Sequence, residues 1–141
     1  MRHIIVALII TGSTYIHGDN FLRDETTKKV LDSRTSLEWS DDSSLSGLNW
    51  KSALDYCEEL ELDGFGWRLP NIVELRSIVD YTATSPIYPI FENMTENYYW
   101  SSSTNGATPS QAWEVYFKTG VITSTNKGYL SHNTICVRNH K

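Results

Sequence analysis

Two cysteines, a run of three serines and a scatter of aromatic, amide and basic residues toward the C-terminal end are what this sequence offers as chemistry. Cys57 and Cys136 lack the C-x-x-C spacing of a redox motif or a zinc site. An even pair in an oxidising compartment normally bonds, and a bridge between these two closes a loop of about 80 residues, worth about 4–5 kcal/mol on the chain-entropy model. Ser101-Ser102-Ser103 has no nucleophile-elbow context. His17, His132 and His140 have no partner that the sequence assigns, so the set of nucleophile, base and oxyanion donors stays unfilled and no catalytic activity is expected. Glu58, Glu59 and Glu61 are joined by no histidine, and Asp41-Asp42 sits in no alternating pattern of oxygen ligands, so neither a metal nor a cofactor is expected. What remains is binding. Tyr116, on the strand face opposite Trp113 and Phe117, and Asn126, Lys127, Tyr129, His132 and Asn133 in the late loops, form the candidate set for shallow polar and aromatic contacts.

These groups need a scaffold, and its most legible part is Gly66-Trp67-Arg68-Leu69-Pro70-Asn71-Ile72-Val73-Glu74-Leu75. Asn71 is a good N-cap with Glu74 three positions on, and Pro70 forbids backward extension, so a helix starts at Ile72 and is expected to run to about Val79. Arg68 lies between the core-seeking Trp67 and Leu69, and is expected half-buried, bonding a carboxylate or backbone carbonyls. A preceding helix is marked by Asn49 as cap and by Trp50, Ala53, Leu54, Cys57 and Leu60 at helical spacing. Before it, Val30-Leu31 and Leu37-Glu38-Trp39 flank a turn and read as a hairpin, followed by a solvated Asp41–Gly47 loop. Pro86 and Pro89 make residues 82–97 a long surface excursion carrying an Asn93-Met94-Thr95 sequon. From Tyr98 the pattern is strand: Trp100 within an aromatic and hydroxyl run, then Trp113, Val115 and Phe117 buried against Glu114, Tyr116 and Lys118 on a wet face. A second hairpin follows through Thr119-Gly120, and Ile135 to Arg138 closes the domain.

With 141 residues the chain fits one domain. Met1-Arg2-His3, the apolar run Ile4–Ile10 and the small residues after it read as a signal peptide over 1–18, too short to span a bilayer. The other reading of the run is a buried N-terminal strand. Residues 19–29 are polar and expected to be loose, with the domain proper at 30–141. Twelve cations against seventeen acids give a net charge of −5. Loss of residues 1–18 removes Arg2 alone, leaving eleven against seventeen and −6. An acidic surface disfavours nucleic acid and anionic membranes as partners.

Five ordered blocks then suggest a family: Trp50-x-x-Ala53-x-x-x-Cys57, Gly66-Trp67-Arg68-Leu69-Pro70-x-x-x-Glu74-Leu75, Tyr99-Trp100-Ser101-Ser102-Ser103, Ala112-Trp113-x-Val115-x-Phe117-x-x-Gly120 and Cys136-Val137-Arg138. From about Val30 to Arg138 the chain resembles the C-terminal domain of bacterial collagen-like adhesins, a family with a variant of the C-type lectin fold. The resemblance implies an α+β domain: two helices on a mixed, mostly antiparallel sheet with long loops, the first helix tied to the last strand by Cys57 and Cys136. It also implies export and adhesion to a glycan or another envelope ligand, with the late loops as the place to look. There are departures. No Gly-X-Y stalk is present, the net charge suits no sulfated polyanion, and the Glu-Pro-Asn and Trp-Asn-Asp signatures of calcium-dependent sugar sites are missing. A structural or protein-binding role in the envelope is the alternative. A fold shared with formylglycine-generating oxidases raises an enzymatic reading too, though those use a reactive cysteine pair.

Overall fold

The computed structural model describes residues 20–141 in full and, before them, the backbone of two strands, β1 (Val6–Ile10) and β2 (Ser13–Gly18). Met1–Ile5, Thr11 and Gly12 of the signal-peptide reading, and Asp19 after it, lie outside the described residues. In the full chain β2 pairs antiparallel with β3 (Phe21–Asp24), with Gly18 opposite Phe21 and Tyr15 opposite Asp24. Val6–Ile10 of the apolar run are in strand conformation.

The stretch expected to be loose is not loose. Phe21 and Arg23 point into the core, 3% and 0% exposed. Phe21 packs edge-on against Phe91 and near Tyr88. Arg23 meets the Asp41 carboxylate at 2.5 Å and the Ile90 carbonyl at 3.2 Å. Charged composition concealed the strand because its inward arginine has a buried acid waiting. Asp41 is the same correction seen from the other side: the first residue of the supposedly solvated loop is 1% exposed, and it accepts the Asn93 amide at 3.2 Å.

The expected hairpin is present as β4 (Lys29–Asp32) and β5 (Leu37–Ser40), with Val30 opposite Trp39 and both fully buried. Helix α1 (Trp50–Glu59) is capped by the Asn49 side chain on Ser52 N at 2.8 Å. It buries Ala53 and Cys57 while Glu58, Glu59 and Glu61 stay in solvent. Helix α2 (Ile72–Ser77) begins with the predicted reciprocal cap: Asn71 Oδ1 accepts from Glu74 N at 2.8 Å and Glu74 Oε1 accepts from Asn71 N at 2.9 Å. It stops two residues short of Val79, where Ile78 leaves the helical conformation. Residues 82–97 do not form a purely surface excursion. Tyr81–Ser85 are exposed, but Pro86, Ile90, Phe91 and Met94 turn inward and join the core. Burying three large apolar side chains at about 25 cal/mol per Å² outweighs the two prolines' preference for the surface.

The remaining strands are β6 (Tyr98–Thr104), β7 (Gln111–Tyr116), β8 (Val121–Asn126) and β9 (Val137–Asn139). They form two sheets rather than one mixed sheet: β1-β2-β3-β4-β5-β9 and β6-β7-β8, with antiparallel strand pairs and, among the described residues, parallel pairing confined to an isolated Tyr99–Asn133 bridge. Helix α2 packs on β6 and β7, and α1 on β6. One hydrophobic cluster gathers Phe21, Trp39, Leu75, Phe117 and Val137; the other gathers Ala53, Trp67, Trp100 and Cys136 around the Cys57–Cys136 disulfide. Strand β7 does not divide into a dry and a wet side. Val115 and Phe117 are buried and Lys118 is exposed as expected, but Trp113 is only half-buried and Glu114 is 4% exposed.

Candidate functional site: an aromatic face held by a buried pair

Cross-strand register brings four rings into one column on the small sheet. Tyr98 lies opposite Tyr116 in the β6–β7 pairing, and their rings stack at 4.1 Å with an 8° tilt. His132, arriving from the segment after β8, lies 5.4 Å from Tyr98 and stacks on Trp100 at 4.3 Å. Tyr129 meets the imidazole edge-on at 5.9 Å. The column therefore begins in the core at Trp100 and reaches the surface at Tyr116.

What fixes it is polar. His132 Nε2 is bonded to Glu114 Oε2, while Thr123 Oγ1 donates to Glu114 Oε1 at 2.8 Å. Both partners are buried, and a buried carboxylate is tolerated only when its lone pairs are taken, which the imidazole and the hydroxyl achieve here. Beside this rigid base, Tyr129 and Leu130 stand 56% and 62% exposed.

The six binding candidates divide accordingly. Tyr116, Tyr129 and His132 converge. Asn126 and Lys127 sit at the far end of β8: Asn126 Oδ1 accepts from Gly128 N at 2.8 Å, and Lys127 Nζ lies 4.1 Å from the Trp50 ring centre and donates to Thr104 at 2.9 Å. His132 and Asn133 are not loop-surface groups, being 4% and 3% exposed. Asn133 faces inward, donating to Thr95 Oγ1 at 2.8 Å and accepting from Asn97 at 2.9 Å. Both read as surface because they follow a turn-rich polar stretch, yet they lie against β6. Sequence reasoning missed Tyr98, Leu130, Thr123 and above all Glu114. The alternation of β7 put Glu114 on the wet side, and no signal short of the β7–β8 register links it to Thr123 and His132.

The residues expected to be structural make the following contacts. The Trp67 indole donates to Leu62 O at 2.9 Å under the Arg138 guanidinium, which lies 4.4 Å from its ring. Trp50 Nε1 donates to Ser101 O at 2.8 Å, and Trp100 Nε1 to Leu48 O at 3.0 Å. Arg68 forms a two-pronged pair with Glu74 at 2.6 and 2.7 Å. Burial opposes the charged form of Glu74, but the Arg68 bonds and the Asn71 amide outweigh it and hold the carboxyl below its ordinary range. Glu38 is likewise held low: burial is outweighed by Arg138, His140 and Lys29. Ser101 is spent on the Trp113 carbonyl at 2.6 Å.

Among the described residues, the clefts lined by β9 and the turn after α1 lie apart from the aromatic face. Two clefts, of about 490 and 270 Å³, are lined by residues such as Phe65, Arg68, Asp63, Arg138 and Asn139. Their arginines are engaged within the protein: Arg138 bonds Glu38 and the carbonyls of Asp63 and Phe65, and Arg68 bonds Glu74. We place the candidate site on the aromatic face, where exposed groups have no such internal duty. Among the described residues no group of three or more His, Cys, Asp or Glu is placed to hold a metal ion, and no helix is long and apolar enough to cross a membrane.

Fold and site together define a disulfide-tied α+β domain with a preorganised aromatic surface. The chain belongs to the Lcl C-terminal domain family, whose model matches residues 28–138. This agrees with the resemblance carried by the five sequence blocks. No curated protein matches the chain.

Proposed function

We propose that this chain is an exported, non-catalytic binding domain of the bacterial envelope with a C-type-lectin-like arrangement, recognising a glycan or a similar envelope ligand across the Tyr98–Tyr116–Tyr129 face. The observation that carries the reading is the pairing of an exposed Tyr129 with a stacked Tyr98–Tyr116 pair on a base locked by Glu114 and His132. Tyrosine offers large apolar area at low entropic cost together with a hydroxyl, the combination that shallow recognition of sugar rings uses. Family membership supports an adhesin-like role. Against the oxidase reading stands the Cys57–Cys136 bridge, which ties up both of the chain's cysteines.

The test is binding of the folded protein to immobilised envelope polysaccharides and to a glycan array, beside Tyr116→Ala and Tyr129→Ala. Binding reduced tenfold or more in both variants, with unchanged thermal unfolding, supports the proposal. No binding by folded wild type, or full retention in the variants, sinks it.

A further inference from the structure

Strand β8 is the terminal strand of its sheet, with β7 as its single hydrogen-bonded neighbour. The other strand edges nearby are closed. Val137 of β9 exchanges main-chain bonds with Arg68 at 2.9 and 2.8 Å, and β6 is bonded by Asn133 through Trp100 at 3.2 Å and Tyr98 at 2.8 Å. The β7–β8 register is unbroken over six pairs, from Gln111↔Asn126 to Tyr116↔Val121, so no bulge turns the outer edge aside. Lys127 N donates to Ser110 O at 3.0 Å just beyond the strand. Antiparallel alternation then directs the main-chain groups of Thr125, Thr123 and Val121 at β7 and those of Ile122 and Ser124 outward.

Natural sheet edges are guarded by charge, proline or a bulge. This one has none: its sequence is Val-Ile-Thr-Ser-Thr-Asn, in a chain of which 21% of residues are charged. The nearest cation, Lys127, is drawn away over the Trp50 ring.

We propose that the β8 edge pairs antiparallel with β8 of a second copy of this chain about a two-fold axis at Thr123, joining the two small sheets into one six-stranded sheet. In that register Ile122 lies opposite the partner's Ser124, and the outward groups of both strands are satisfied by four main-chain hydrogen bonds. Val121, which is 51% exposed, lies opposite the partner's Thr125 and is covered. The strand is complementary to itself, with β-branched side chains facing one another at Thr123–Thr123 and Val121–Thr125 and no like charges opposed, and this favours a second copy over an unrelated segment. The face carrying Tyr129 is not needed for the contact, so the inference stands apart from the ligand reading.

The experiment is sedimentation of the full chain over a concentration series, with Val121→Lys/Thr125→Lys beside Val121→Lys/Thr125→Glu. The first variant sets lysine against lysine at both ends of the contact; the second sets lysine against glutamate. A wild-type dimer, a dissociation constant raised at least tenfold in the lysine pair, and its recovery in the lysine–glutamate pair support the proposal. Hydrogen exchange of the wild type gives a readout independent of how the variants fold: the Ile122 and Ser124 amides are to slow with rising concentration. A wild type that stays monomeric at the highest concentration, or concentration-independent exchange at those two amides, overturns it.

Discussion

Replacing Arg23 with methionine tests the least foreseen part of the core. Arg23 and Asp41 are 0% and 1% exposed and 2.5 Å apart, and the Ile90 carbonyl takes a second bond from the same guanidinium nitrogen. Removing one partner of a buried pair costs about 3–5 kcal/mol, because the survivor is left charged in a poor solvent. The survivor has an escape, which is to take up a proton. Burial already pushes the Asp41 carboxyl up to about 6 even with Arg23 beside it. An acid whose pKa is raised by folding contributes stability at low pH and loses it as pH rises through the folded value. Without Arg23 that folded value moves higher still. Below about pH 6 both proteins carry the proton and differ by the lost contacts alone. Above it the variant's deficit is to grow by about 1.4 kcal/mol per pH unit until the full 3–5 kcal/mol is reached. Urea unfolding of wild type and Arg23→Met at pH 5.5, 7 and 8.5 measures this, and Asp41→Asn in the Arg23→Met background is to flatten the trend. A deficit below about 1 kcal/mol at pH 8.5, or one that does not change with pH, refutes the reasoning.

Three further outcomes are expected. Serine at both Cys57 and Cys136 removes a link across 79 residues of sequence and is to cost about 4–5 kcal/mol in urea unfolding. Because folding lowers the Glu74 pKa, its stabilisation is present above the unfolded carboxylate value and lost as pH falls below it; Glu74→Gln is to flatten the acid limb of the unfolding curve, and an unchanged limb counts against the Arg68–Glu74 assignment. Gly120 has φ +80° and a Cβ there would come within 3.0 Å of the Tyr81 ring and 3.1 Å of Val79, so Gly120→Ala is to lower stability by about 1–3 kcal/mol on a thermal melt.

Much of the scaffold can be read without coordinates, for a local reason. Asn49 and Asn71 cap their helices through atoms three residues away, the Val30–Trp39 hairpin closes over a short turn, and the covalent need of two cysteines has one solution. The signals for these lie within a single turn or in a count. Arg68 belongs here as well, since its acid is six residues along.

The residues that were misjudged share the opposite property. Arg23 with Asp41, and Glu114 with His132, are each 18 positions apart, and every one of the four looks solvent-bound by type. A charged side chain is buried only where a distant strand delivers its counterpart, so its place depends on register, which no local pattern encodes. The same holds for the aromatic face, since Tyr98 and Tyr116 meet through cross-strand pairing. The sequence alone determined the helices, the disulfide and the family. Tertiary structure decided which polar groups are core, which tyrosines stand together, and that β8 was left with an open edge, because each follows from strand pairings made across long stretches of chain.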